Sequence, residues 1–328
     1  MTVDDRRNIL SQALLGTTDA NRQEWLAERR SGIGGSEAAA VLGISPWATP
    51  VTVWLDKTGR SAPKPSTLRM AFGSINEEDV AMMYEIQTGR KVQRYNRMIH
   101  RGCLLGNFDR LVVREGEKVA SHMGTIRTDT LLECKCSDRS WDDGVPLYYQ
   151  TQVQHYMGLS ETLAHADVAC YFRMKNTFEV FRVERDEDVI GTMRERLTAW
   201  WNEYVVGDKM PPPTNEADCK LLWARSNPGK TVTASDEVAA KLADYRRFKA
   251  DEKTAKEAVG RLQSDIEAYL GDAEILVDTV GKPLVTWKSA KDSRKTDWES
   301  LARALGATDA QIADYTTSTP GPRRFVAK

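Results

Sequence analysis

An α/β fold is what this sequence predicts, on three observations. Between helical stretches lies a strand-rich one at residues 109–136, with LVV at 111–113, a turn at EGEK and the run LLECKC at 131–136. Residues 171–183 return to strand-like alternation after a further helix. The prolines of MPPPT at 210–214 then forbid regular helix and mark a boundary, beyond which a long charged helical stretch begins.

The elements follow in order. SEAAAVL at 36–42 comes after the glycine-rich GIGG, so Ser36 is placed as the N-cap of a short helix and Gly43 as its stop. A second helix is predicted over 77–88, where Val80, Met83, Tyr84 and Gln87 recur at helical steps, the acidic start EED suits the helix dipole and Gly89 closes it. The sheet is expected in 109–136. A helix over 147–159 puts Tyr149, Gln152 and Tyr156 on one face, and another runs through Trp200 and Trp201. Residues 235–270 read as one long helix, EILVDTVGKPLVTWK as a hairpin turning at 280–283, and the last forty residues are polar. With 328 residues against the roughly 100 to 200 usual for one domain, the expectation is one large core with an appendage. The boundaries predicted are a leader at 1–20, the core at 21–208 and a mainly helical appendage at 209–328.

Composition narrows the function. No run approaches the ~18 apolar residues of a membrane span, and the first twenty residues lack the apolar block and cleavage site of a secretory signal, so a cytoplasmic protein is expected. Five cysteines without a CxxC pair argue against a disulfide framework or zinc site, and Cys134 and Cys136 read as reduced thiols. Four unpaired histidines leave little for imidazole chemistry. Any metal is then a hard, oxygen-bound one. A net charge of −1 gives no global signature of nucleic-acid binding, which must rest on local patches.

LLECKC carries the chemistry. On a strand Glu133 and Lys135 share one face and Leu132, Cys134 and Cys136 the other. A carboxylate beside an ammonium is what metal-assisted phosphodiester hydrolysis uses: the acid ligates Mg²⁺ and the lysine orients water or stabilises developing charge. A solvated surface ion pair has the same pattern. One carboxylate binds magnesium poorly, so Asp109, in GNFDRLVV at the start of a strand, is the natural second ligand and the backbone carbonyl of Cys134 a third.

GIGGSEAAAVLG, FGSINEEDVAMMYEIQTG, GNFDR, LLECKC and YYQTQVQHYM, in this order over about residues 25–156, resemble the YqaJ and lambda-exonuclease group of viral recombinases. The resemblance implies a restriction-endonuclease-like PD-(D/E)xK core, with a central mixed sheet flanked by helices. It implies a Mg²⁺-dependent 5′ to 3′ exonuclease on duplex DNA ends, with Mn²⁺ as a substitute metal, a ring-shaped homotrimer and a single-strand annealing protein as partner. It further implies a 3′ overhang as product, for recombination in a bacterial host, and a phage or prophage origin. Carried over position by position, Asp109, Glu133 and Lys135 fill the nuclease motif. Glu77 matches the acidic residue of the early helix, as a further metal-site carboxylate, and Gln152 the first glutamine of the family's QxQ helix. Arg29, Ser36 and Arg139 match positions that hold the terminal 5′-phosphate, and Ser36 at a helix start with Arg29 beside it also reads as an anion site. The bland reading is a cap and a solvated arginine.

This chain has Phe108, Asp109 and Arg110 where the family has Pro-Asp-Gly, and a long insert before Glu133. Asp129 is therefore the fallback ligand, although a turn leading into LLECKC also accounts for it. Trp141, just after the catalytic strand, is the tryptophan best placed to touch substrate. Residues 282–328 hold nine Lys or Arg against five Asp or Glu, which suits either DNA backbone or a solvated tail. The rival functions are a PD-(D/E)xK endonuclease or nickase, and an inactive DNA-end-binding scaffold for an annealing protein.

Overall fold

In the computed structural model, which describes residues 2–15, 20–61, 67–293, 295–317 and 325, the chain opens with α1 (Val3–Leu15) and α2 (Ala20–Arg29). The segment expected as a leader is thus mostly helix, with 16–19 outside the described residues. A short strand β1 (Ile33–Gly34) leads into α3 (Gly35–Val41). The predicted cap moves: Gly34 is the N-cap, and Glu37 at the third helical position accepts its N–H at 2.8 Å, so Ser36 is the second helical residue. Next comes α4 (Pro50–Lys57), capped by Thr49.

The helix expected from residue 77 begins nine residues earlier, as α5 (Leu68–Thr88), with Thr67 as its cap and Gly89 at φ +70° as its end. Glu77 and Glu78 therefore sit mid-helix, where the dipole gives them nothing. They pair instead with Arg110, and Arg6 of α1 reaches Asp79 at 3.2 Å.

The strands β2 (Val92–Gln93), β3 (Ile99–Arg101), β4 (Leu104–Gly106) and β5 (Arg110–Val112) follow, then a small hairpin of β6 (Ser121–His122) and β7 (Thr125–Ile126). Next are β8 (Thr130–Ser137), α6 (Leu147–Met157), β9 (His165–Phe172) and β10 (Thr177–Glu184). The main sheet has the order β10-β9-β8-β5-β2, with β8 central, parallel to β9 and antiparallel to β5. The expected mixed sheet between helices is thus present. On one face Leu132, Cys134, Val112 and Ala169 pack with Val80, Ala81 and Tyr84 of α5. On the other, Leu131, Leu111 and Val168 pack with Val153, Tyr156 and Met157 of α6.

The stretch of strand-like alternation at 171–183 takes in the end of β9 and most of β10, joined by a turn in which Asn176 has φ +51°. β9 is buried on both faces and so lacks the alternation that marks a half-buried strand. Its Asp167, 3% exposed, accepts hydrogen bonds from Tyr84, Arg90 and Arg182. The first compact unit closes with α7 (Glu187–Trp200), a π-helical turn at Trp201–Val206 and α8 (Glu216–Leu222). It continues past the proline run because buried Asp218 accepts from Thr49 at 2.6 Å and from Thr214 at 2.8 Å.

The second unit, Trp223–Lys328, consists of α9 (Asp236–Leu270), the hairpin β11 (Ile275–Val277) and β12 (Pro283–Thr286), and two short helices, α10 (Trp298–Ala304) and α11 (Asp309–Asp314). The hairpin closes through Asp278 N–H to the Lys282 carbonyl at 3.0 Å, slightly before the predicted turn. Of the basic stretch at 282–328, residues 294, 318–324 and 326–328 lie outside the described ones. Among the described residues no helix is long and apolar enough to cross a membrane.

Candidate active site

The site starts from the pairing of β5 with β8, in which Arg110 stands opposite Leu132. Asp109, one residue before β5, is thereby delivered to the middle of β8. Its Oδ2 accepts the backbone N–H of Cys134 at 2.8 Å. Glu133 and Lys135 project from β8 toward α6, as period-two alternation requires, and are joined by an ion pair through Glu133 Oε1. Gln152 of α6 donates to the same oxygen at 2.7 Å and lies 3.2 Å from the Tyr156 hydroxyl. Lys135 Nζ sits 4.9 Å from the ring centroid of Tyr149.

Glu133 is 2% exposed, and its Oε2 is buried without a hydrogen-bond partner. A carboxylate oxygen left so costs about 1–3 kcal/mol or more unless something charged meets it. Burial raises the Glu133 pKa against the pull of Lys135. Burial, and then the charge of Glu133, push Asp109 up to about 7. Burial acts to lower the Lys135 pKa, but Glu133 and Asp109 outweigh it and raise it. These are two acids short of positive charge beside one cation held firmly protonated.

Arg110 explains the departure from Pro-Asp-Gly. Only 3% exposed, its guanidinium donates to Glu77 at 2.5 Å, to Glu78 at 2.8 Å and to the Asp109 carbonyl at 2.5 Å. The residue that replaces glycine is thus a buried clamp between β5 and α5. It holds Glu77 close enough that Asp109 contributes to the raised Glu77 pKa, after burial and against Arg110.

Among the described residues no three His, Cys, Asp or Glu side chains converge as a ready cage. A divalent cation of the magnesium kind does not need one, since it keeps several waters and takes one or two carboxylates together with substrate phosphate. Asp109 and the unpartnered Oε2 of Glu133 supply that all-oxygen donor set, and the residues fit the ion in this sense.

A cleft of roughly 620 Å³ links Asp109 and Glu77 to Arg29, Gly34, Ser36 and Tyr156, with α1 contributing Asn8 and Gln12. Arg29 donates to Glu37 at 2.8 Å and lies 3.4 Å from Ser36 Oγ. Lys57 Nζ is 2.7 Å from the other Glu37 oxygen and donates to the Arg29 carbonyl at 2.6 Å, which fixes the base of this end. Gly35 lets α3 approach α6, since a Cβ there would run into the Tyr156 ring.

Arg29, Ser36, Glu77 and Asp109 thus line one cleft, and Glu133, Lys135 and Gln152 stand behind Asp109. Arg139 does not join them: it is exposed, in a turn closed by Ser137 Oγ. Trp141 is packed among Tyr149, Phe172 and Phe181, at 5.3–5.5 Å between ring centroids. Asp129 pairs with Arg114 at 3.4 Å, and its carbonyl accepts from Ala164 and His165. An exposed pair of this kind is worth about 0–1 kcal/mol, so Asp129→Ala is expected to leave hydrolysis within about twofold of the parent, by nucleotide release from linear duplex. Sequence reasoning missed Arg110, Glu37 and Lys57. Glu37 had a signal, its spacing from Gly34 being that of a capping box.

A model of the YqaJ-like viral recombinase domain matches residues 24–162. The uncharacterized protein YqaJ of Bacillus subtilis (strain 168) is 30% identical over 300 residues, covering 87% of this chain and 88% of its own. Among solved structures, the alkaline exonuclease LHK-Exo of Laribacter hongkongensis covers 56% of this chain and 93% of its own at 19% identity and a TM-score of 0.44. A phage-related exonuclease of Haemophilus somnus 129PT covers 54% and 96% at 12% identity and a TM-score of 0.39. By its 30% identity to YqaJ over most of both chains and by the domain model matched on its first half, the chain belongs to the YqaJ-like viral recombinase family.

Proposed function

We propose that the protein is a divalent-metal-dependent DNA exonuclease of the recombination type, working 5′ to 3′ on duplex ends and leaving 3′ overhangs for strand annealing. One observation carries this reading: a buried glutamate oxygen without a partner, on Glu133, set beside Asp109 and Lys135 at the head of an open cleft. Membership in the YqaJ-like viral recombinase family points the same way. A ring-shaped homotrimer and an annealing-protein partner complete it, on the family resemblance.

Asp109 and Glu133, with the Cys134 carbonyl, would hold Mg²⁺ or Mn²⁺, and Glu77 stands in reserve on Arg110. The bound ion would polarise the phosphodiester and acidify water. Gln152 and Lys135 both engage Glu133 Oε1, which leaves Oε2 without a hydrogen-bond partner and available to an ion. Lys135, kept protonated by its two acids, is unsuited to take a proton; it orients water and stabilises charge growing on the phosphate. Arg29 and Ser36, which line the same cleft as Asp109, receive the 5′-phosphate.

Arg29→Ala is expected to reduce the preference for 5′-phosphorylated over 5′-hydroxyl duplex by about ten- to a hundredfold, the worth of a lost charge-assisted contact, while leaving the hydroxyl rate nearly unchanged. Parallel rates on the two substrates check it; equal slowing on both assigns Arg29 to the fold.

The function itself is tested by offering linear and covalently closed circular duplex side by side with Mg²⁺. An exonuclease releases mononucleotides from the first and leaves the second intact. Nicking of the circle favours the endonuclease reading, and binding of ends without cleavage favours the scaffold.

A further inference from the structure

α6 runs along the site like a ruler. Toward its C-terminal end Tyr156 lines the cleft with Arg29 and Ser36, then Gln152 meets Glu133, Tyr149 faces Lys135, and Tyr148 meets Trp47. Trp47, in the loop between α3 and α4, is 62% exposed, and its ring centroid is 4.6 Å from that of Tyr148 in an edge contact and 6.1 Å from Tyr149. The loop is pinned. Ser45 Oγ accepts the N–H groups of Trp47 and Ala48, and the Ile44 and Ser45 N–H groups go to the Ala39 carbonyl. A large aromatic ring is thus held rigidly in solvent, buttressed by a tyrosine and one ring removed from the catalytic lysine.

We propose that Trp47, backed by Tyr148, is a stacking platform for a nucleobase of the strand being degraded, a reading that rests on the nuclease function above. Base faces stack on aromatic rings whatever their sequence, which suits an enzyme that must accept every nucleotide in turn. From Tyr156 to Tyr148 the helix rises about 12 Å at ~1.5 Å per residue. At ~3.4 Å per nucleotide of strand, that span is about three or four nucleotides. With the terminal phosphate at Arg29 and Ser36, the base on Trp47 is the third or fourth from the 5′ end, on the retained side of the scissile bond.

The test uses linear duplexes with 2-aminopurine at each of the first six positions of the 5′ strand. They are titrated with full-length protein in EDTA at low salt, so that hydrolysis stops and binding alone is read. For the parent, a fluorescence change on binding should peak at position three or four. In Trp47→Ala that change should vanish and end affinity fall about tenfold or more, while Trp47→Phe keeps the signal and stays within about threefold of the parent. Circular dichroism like the parent's is expected, because the ring is solvent-exposed. Parent-like affinity and fluorescence in Trp47→Ala overturn the platform and leave the nuclease reading standing. A parent that binds no duplex end overturns both.

Discussion

Glu133→Gln is expected to lower hydrolysis of linear duplex about a thousandfold or more, since the charge of the proposed metal ligand is lost, and with it several kcal/mol of transition-state stabilisation. The amide is nearly isosteric and still meets Gln152, so packing around 133 persists. What disappears is the negative charge on an oxygen that is buried and otherwise unpartnered. DNA affinity, carried by contacts elsewhere in the cleft, should remain within about threefold. Lys135 loses its ion-pair partner in this variant but keeps Asp109 among the acids that hold its proton. Thermal melting next to the rate separates loss of chemistry from loss of fold. Activity within tenfold of the parent would remove Glu133 from the centre.

Arg110→Met is expected to destabilise the first unit by about 3 kcal/mol, the lower end of what breaking a buried ion pair costs. The lower end applies because Glu77 and Glu78 are about one-quarter exposed and water meets part of the loss, whereas the Arg110 side chain is 4% exposed. Methionine retains most of the apolar stem, so the loss reports the guanidinium. Freed of Arg110, Glu77 and Glu78 repel each other and Asp109, and activity should fall together with stability. Urea unfolding at constant m-value checks the number, and a change under 1 kcal/mol would mean that the clamp is incidental.

Those two residues also divide what was legible in the sequence from what was not. Glu133 and Lys135 were legible because strand alternation is local: two residues apart means one face, wherever the strand lies. Asp109 was legible as the polar residue before an apolar strand, and the register of β5 on β8 places it against Cys134. Arg110 was not, because its role depends on α5 crossing the sheet 33 residues away in sequence. From its own residues the acidic run in α5 reads as a helix start, and only the family resemblance marks Glu77 further. That Glu77 and Glu78 form an acceptor pair for Arg110 is a tertiary property. Ser36 was misplaced as a cap because serine outranks glycine there, while the glutamate three residues after Gly34 held the better signal. β9 escaped because burial on both faces erases the period on which strand reading depends.

A metal-assisted hydrolytic centre of Asp109, Glu133 and Lys135, as proposed, is tested on a linear duplex labelled at the 5′ end of one strand and then at the 3′ end, incubated with and without Mg²⁺. The 5′ label is expected to be released as a mononucleotide at once and the 3′ label last or not at all, with neither released in EDTA. Release that proceeds without a divalent metal, or no release from either end with Mg²⁺ present, would contradict it.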